Sequence, residues 1–306
     1  MADKKISRSS PLLGAVTQAA VRVSTGLSLP AAHRLGALIG KLMWLFPTRI
    51  RSTATVNIDA CFPELSASAR QRLVRASLVE MGRTFAEAGA MLRWPAEKLR
   101  KLEKGVVGED LLLGAAASQK GAILLVPHLG NWEFLNYFLS ERCQLAALYR
   151  VPRIAELDAI LLAARSRFGS TLIAATPAGI IQVRRELKNG TTVMILPDQE
   201  PIRSSGIFAP FFGVSALTMT LVPRLLRKSG ASVVLAISER IEGEGFRLHF
   251  RAVSSLVSDP NLETATTALN HAVEACIRDF PQQYHWGYKR FKSRPAGEES
   301  FYPKRK

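Results

Sequence analysis

The sequence predicts an α/β protein, a mostly parallel central sheet flanked by helices, preceded by an N-terminal helical segment that associates with a membrane. Three observations carry this expectation. Between residues 121 and 253 short Val/Ile/Leu runs alternate with helical stretches, as strand–helix–strand units with strands buried on both faces do. Residues 66 to 92 repeat apolar side chains at helical spacing. Residues 1 to 58 set eight basic residues against the single acid Asp3 in a stretch rich in Ala, Leu, Val and Gly.

The 306 residues are 47% hydrophobic and 22% charged, a globular composition able to bury a core without staples. Cys61, Cys143 and Cys276 lie far apart without a CxxC pair, which argues against a disulfide framework or zinc knuckle and for a reducing compartment. The net charge of +16 favours an acidic partner. Nucleic acid is excluded by the lack of helix-turn-helix, zinc-finger or RNP patterns. The domain organisation expected is a basic, apolar membrane-associating segment over 1–58 and a catalytic domain over 59–306. The latter comprises a helical part over 66–94, an α/β core over 121–253, and a C-terminal helix with basic tail over 261–306.

Within the first segment, Arg22, Pro30, Arg34 and Lys41 cut the apolar run into pieces too short for an uncharged span of about 20 residues. Helices lying on an anionic bilayer, or a single tilted span, fit better, with ordinary buried helices as the competing reading. Leu35, Leu38, Ile39, Leu42, Trp44, Leu45 and Phe46 would enter the acyl boundary while basic side chains reach head groups. It is not a secretory signal, because arginines interrupt the apolar region.

In the next element Leu73, Leu78, Met81, Phe85, Ala88 and Leu92 form the apolar stripe of one long helix, with Arg70, Arg72, Arg75, Glu80 and Arg83 largely off it. Glu87 lies on the apolar side, where a basic partner would be needed. The charged stretch KLRKLEKG reads as a connector. Then come AILLVP and a helix over 131–141, QLAALY and a helix over 154–168, TLIAA and a helix over 177–189, and TTVMILP. A long loop and a helix over 217–229 follow, and SVVLAIS and FRLHFRAV flank the turn EGEG as an antiparallel hairpin at an edge. A last helix, about 261 to 280, precedes the basic aromatic tail.

Open α/β sheets place their chemistry at the carboxyl ends of the strands. After AILLVP comes His128-Leu129-Gly130-Asn131-Trp132-Glu133, in which Pro127 and Gly130 mark a tight turn and Asn131 is an N-cap. Glu133 falls in the first helical turn, where it can fold back on the His128 ring. A carboxylate holding one imidazole nitrogen raises the basicity of the other, as a general base for a hydroxyl requires. The competing reading is a loop histidine and a helix-capping glutamate. A pair five residues apart is not the HExxH zinc pattern, and no metal site is expected. His33, His249, His271 and His285 read as structural.

HLGNWE after a hydrophobic strand resembles the H-x-x-x-x-(D/E) signature of the glycerolipid acyltransferase superfamily, and in this form the late acyltransferases of lipid A biosynthesis, the lauroyl and myristoyl transferases. TVNIDACFPELS, YRVPR, LPDQEP with GIFAPFFGVSALT, and QYHWGYKRFKSRPAGE resemble further blocks of that family in order, over about residues 50 to 300. The resemblance implies a glycerolipid acyltransferase-like fold, no cofactor, and transfer of a fatty acyl group from acyl carrier protein to a 3-hydroxyacyl hydroxyl of a lipid A precursor glycolipid at the cytoplasmic face of the inner membrane. It implies His128 and Glu133 as the catalytic pair. Arg150 and Arg153 would bind an acceptor phosphate or sugar acid, or the developing oxyanion. Asp198, Gln199 and Asn131 would belong to the substrate site, and Phe208, Phe211 and Phe212 would border the acyl chain. No GxSxG elbow is present, which agrees with direct transfer without an acyl-enzyme. A glycerophospholipid acyltransferase and an acyl-thioester hydrolase using the same base are the alternatives.

Overall fold

The computed structural model describes residues 11–152 and 155–303. Four helices open the chain: α1 (Pro11–Thr25), α2 (Leu29–Leu45), α3 (Arg49–Cys61) and α4 (Ala67–Arg93). Ser28, Thr48 and Ser66 start the last three by accepting backbone N–H groups of Ala31, Arg51 and Ala69. The α/β part follows as α5 (Ala96–Arg100), β1 (Glu103–Val107), α6 (Glu109–Ala116), β2 (Ala122–Leu125), α7 (Trp132–Ser140), β3 (Leu145–Tyr149) and α8 (Ala155–Ser166). It continues with β4 (Thr171–Ala174), α9 (Pro177–Lys188), β5 (Thr192–Ile195), β6 (Gly206–Phe211), β7 (Val214–Met219) and α10 (Leu221–Ser229), then β8 (Ser232–Ile241), β9 (Gly245–Ala252) and α11 (Leu262–Asp279).

Seven strands form the main sheet in the order β1-β9-β8-β2-β5-β3-β4, parallel at every pairing except β8 with β9. The expected α/β class and parallel sheet are therefore present. The β8–β9 hairpin sits one strand in from the edge, because β1 forms beside β9 within the charged connector. Its half-exposed sequence EKGVV carries no apolar alternation that would have marked it. Alternate residues of β2 face opposite layers: Ile123 and Leu125 pack with Val183, Leu225 and Leu269 of α9, α10 and α11. Ala122 and Leu124 pack with Leu112, Phe134 and Phe138 of α6 and α7.

The long loop and early helix expected before residue 229 are instead the β6–β7 hairpin. Phe212 and Gly213 both have positive φ, 50° and 75°, forming the two-residue turn whose twist matches the strands it joins. Leu217 to Met219 pair back onto β6, so α10 begins only at Leu221.

Helices α2 and α4 pack at glycine contact distance. A β-carbon on Gly82 would stand 2.1 Å from the Gly36 carbonyl oxygen, and one on Gly40 would stand 2.4 Å from the Val79 Cα. That close approach buries one side of α2 and leaves Leu35, Leu38, Leu42 and Leu45 as an outward stripe, continued by Phe46, with exposures between 39% and 68%. Trp44 instead turns toward the core, with the Arg51 guanidinium 4.5 Å over its ring. Among the described residues no helix is long and apolar enough to cross a membrane.

The stripe on α4 also differs from expectation. Phe85 is half exposed, while Glu80, Arg83 and Glu87 are buried. Counter-charge explains this. The buried Arg240 of β8 reaches Glu87 at 2.5 Å and Glu80 at 2.8 Å, His33 of α2 reaches Glu87 at 2.6 Å, and Arg83 pairs with Glu80 and Glu242.

Candidate active site

The chain leaves β2 into Pro127 and His128 at the carboxyl edge of the sheet, and backbone contacts pin this turn from both sides. The Gly130 N–H donates to Gln283 O and the Asn131 N–H to Ser238 O, both at 3.0 Å, while the His285 N–H donates to His128 O at 3.0 Å. Gly130 has φ +63°, and a β-carbon there would fall 1.8 Å from Ser238 O, so only glycine fits. Asn131 is the expected N-cap, its Oδ1 accepting the Phe134 N–H at 2.9 Å. Its Nδ2 donates to Glu87 Oε2 at 2.6 Å, which ties the turn to the buried charges of α4.

The carboxylate on the His128 ring is Asp198, not Glu133. Asp198 follows β5, the strand beside β2, and its two oxygens take the His128 ring Nδ1 at 2.9 Å and the His128 backbone N–H at 3.0 Å. Burial alone would raise the Asp198 carboxyl, but the His128 charge and these two bonds outweigh it and hold the group below its usual range. An ionised Asp198 accepts a proton on Nδ1 and leaves Nε2 with its lone pair, to which the Gln199 amide nitrogen donates at 3.2 Å. Trp132 stands edge-on to the imidazole with ring centroids 5.0 Å apart. His285 lies beyond, its pKa lowered to about 4 by burial and then by the His128 charge, so it stays neutral near pH 7.

Glu133 turns the other way because α7 carries it over toward α8, where Arg165 takes it in a fork of 2.9 and 2.5 Å. Burial would raise the Glu133 carboxyl, yet the Arg165 charge and bonds prevail and lower it. The smaller attraction of His128 acts in the same direction. No signal in the sequence marks Arg165 as its partner.

A cavity of about 520 Å³ opens in front of these groups. His128, Glu133, Arg165, Arg150 and Gln199 contribute polar groups to its wall. Apolar side chains including Leu161, Ile180, Met194 and Leu221 line much of the remainder. Arg150 forms no ion pair among the described residues and stays exposed. Arg153 lies outside the described residues. The structure places neither Phe208 nor Phe211 in the cavity wall. In a hairpin alternate residues face opposite ways, so Phe211 points into the core against Phe212 and Phe291, and Phe208 lies under the Arg203 guanidinium. Phe212, at the turn, packs on Phe62 and Trp286. Pro201, Ile202, Ser205 and Met219, at the base of the hairpin, provide the wall instead. Among the described residues no cluster of His, Cys, Asp and Glu is arranged to hold a metal ion.

An imidazole on a buried carboxylate, lining a largely apolar cavity at the carboxyl edge of a parallel sheet, has the arrangement of an α/β enzyme site. The sequence profile of the bacterial lipid A biosynthesis acyltransferase family matches residues 11–293, and the chain belongs to that family. It is 28% identical over 280 residues to the lipid A biosynthesis palmitoleoyltransferase of Escherichia coli K12, covering 90% of each chain. It is 29% identical over 279 residues to the lauroyltransferase of the same organism, again covering 90% of each. The K12 myristoyltransferase is 27% identical over 275 residues, covering 88% of this chain and 82% of its own. The protein is accordingly an acyltransferase of lipid A biosynthesis.

Proposed function

We propose that the protein moves a fatty acyl chain from the thioester of acyl carrier protein to a 3-hydroxyacyl hydroxyl of a lipid A precursor, with His128 as general base. The observation that carries this is the His128 ring, held on buried Asp198 by Nδ1 with Nε2 facing a cavity apolar enough for an acyl chain. Nε2 takes the proton of the acceptor hydroxyl as its oxygen attacks the thioester carbonyl. The tetrahedral intermediate collapses, the carbon–sulfur bond breaks, and the thiolate recovers the proton from the imidazolium. Asp198 fixes the tautomer and stabilises the imidazolium. Glu133 supports the same charge through space and holds Arg165 at the cavity wall. Arg150, which lines the cavity and pairs with no carboxylate among the described residues, binds a phosphate or sugar acid of the acceptor or the developing oxyanion. Gln199, which meets Nε2 in the structure, shifts to admit the hydroxyl. Asn131 positions the turn.

The acceptor is a bilayer lipid, and the outward apolar stripe of α2, flanked by Arg34 and Lys41, is suited to rest on an anionic leaflet at the cytoplasmic face of the inner membrane. The test is transfer of labelled acyl groups from acyl carrier protein to lipid A precursor, with lipid product and free fatty acid separated. His128→Ala is expected to lower lipid product on the order of 10² to 10⁴-fold while remaining folded. Near-normal transfer by this variant would remove His128 as the base, and free fatty acid as the main wild-type product would make the protein a hydrolase.

A further inference from the structure

Two helices carry a pattern that the chemistry above does not use. Both α9 and α10 start at the cavity, Thr176, Pro177 and Ile180 lining it from one and Leu221 from the other. Each feeds a strand parallel to β2, so the two run side by side away from the mouth in the same direction. Along α9 the positions 181, 184, 185 and 188 share one exposed face, occupied by Ile181, Arg184, Arg185 and Lys188. Along α10 the exposed face holds Arg224, Arg227 and Lys228. Both faces are apolar next to the mouth and cationic beyond it.

None of these six cations forms an ion pair among the described residues. Glu186, the single acid on either helix, accepts from the Thr191 hydroxyl at 3.1 Å. At a rise of 1.5 Å per residue, Arg184 lies about 10 Å and Lys188 about 16 Å along the helix from Pro177. Six like charges on two adjacent helices repel one another, and an arrangement of this kind is relieved when a surface of opposite sign covers it. A lipid surface does not suit it, because a peripheral membrane face needs several apolar side chains among its cations and this one has Ile181 alone, whereas α2 has four, continued by Phe46.

We infer that the paired faces of α9 and α10 are the docking site of the acidic carrier protein that delivers the acyl thioester, its flexible arm entering the cavity past Ile180 and Leu221. The inference rests on the carrier-dependent reading of the function and adds where the carrier binds. Charge complementarity then governs encounter, while the arm and acyl chain supply the contacts inside.

The experiment uses the full chain with Arg184→Glu and Arg185→Glu on α9 and Arg224→Glu and Lys228→Glu on α10, singly by helix and together. Steady-state constants are measured with lauroyl groups on acyl carrier protein and with lauroyl-pantetheine, the same thioester without the protein. The combined variant is expected to raise KM for the carrier thioester about tenfold or more at low salt, with kcat within about twofold and with lauroyl-pantetheine used as by wild type. The salt dependence of the carrier KM, steep in wild type, should flatten. A combined variant with wild-type carrier KM would overturn the docking face and leave the carrier reading standing. Wild type that uses lauroyl-pantetheine as well as the carrier would remove both. Loss confined to vesicle-embedded acceptor, at unchanged carrier KM, would reassign the face to the membrane.

Discussion

Asp198→Asn isolates the tautomer of His128 without changing the size of any side chain. In the wild type the two Asp198 oxygens take Nδ1–H and the backbone N–H of His128 at 2.9 and 3.0 Å. An asparagine has one oxygen and one NH₂ for these two places. With its oxygen on the backbone N–H, the NH₂ faces Nδ1, which must then be bare, and the ring proton moves to Nε2, where it blocks base catalysis. The opposite orientation sets donor against donor at the backbone and leaves a buried N–H unsatisfied, at a cost of about 1–3 kcal/mol. The inactive tautomer is therefore favoured by roughly 5- to 150-fold. The lost negative charge, which stabilised the imidazolium at nearly the same distance, adds a further factor of about ten to a hundred at 1.36 kcal/mol per decade. Together they predict a fall in kcat on the order of 10² to 10⁴, with KM little changed because Asp198 is buried behind the ring. Initial rates of acyl transfer on folded protein, checked by circular dichroism, measure it. A variant with more than about a third of wild-type kcat would refute the role assigned to Asp198.

Three further outcomes follow from the same geometry. Glu133 and Arg165 act as a pair, so Glu133→Gln and Arg165→Met should each destabilise more than their double variant requires, with a coupling of about 1–3 kcal/mol in urea unfolding; additive effects would dismiss the pair. Glu87, lowered from 4.5 to about 2 against its burial by Arg240 and His33, contributes stability above pH 4.5 that disappears as pH falls toward 2, on the order of 3 kcal/mol. Urea midpoints of wild type should thus drop more steeply across this window than those of Glu87→Gln, and parallel pH curves would show that Glu87 is not the linked group. Leu38→Glu with Leu45→Glu, at positions 54% and 68% exposed, should leave folding intact and weaken flotation with phosphatidylglycerol vesicles on the order of a hundredfold, taking about 1.5 kcal/mol per leucine. Undiminished flotation would place the membrane contact elsewhere.

The parts of the site that the sequence discloses are those that sit at strand ends. His128, Asp198, Gln199 and Arg150 each follow an apolar run, and parallel strands necessarily bring such residues to one edge. What spacing cannot disclose is rotation about that edge. Glu133 is five residues from His128, and whether its carboxylate meets the ring or a neighbouring helix depends on how α7 leaves the turn, which Gly130, Ser238 and Gln283 determine from distant parts of the chain. The phenylalanines of β6 show the same limit: their orientation depends on hairpin pairing, and a turn of Phe212 and Gly213 lacks the Asn-Gly or Asp-Gly that would announce it. Strand β1 is charged and half exposed, so it carries no pattern to read.

Least legible is the buried charge cluster, because a glutamate bound for the interior is written like one bound for water. Glu87 and Arg240 are separated by 153 residues and meet only after the sheet has formed. Such clusters rarely stabilise more than apolar side chains of the same volume would, so their effect is better sought in what they hold in place. Here the chain of contacts is continuous: His33 of α2 accepts the Gly243 N–H on Nδ1 and so donates from Nε2 to Glu87, Glu87 accepts from Asn131, and Asn131 caps α7 immediately after the His128 turn. The helix bearing the outward apolar stripe is thereby locked to the turn bearing the base. On the proposed reading, an enzyme that deprotonates a hydroxyl anchored in a bilayer must keep its imidazole at a constant height above the lipid. A hydrogen-bonded link through buried Glu87 between the helix proposed to face lipid and the His128 turn would meet that requirement more directly than a flexible tether, because the position of α2 on a leaflet would then set the position of His128 Nε2.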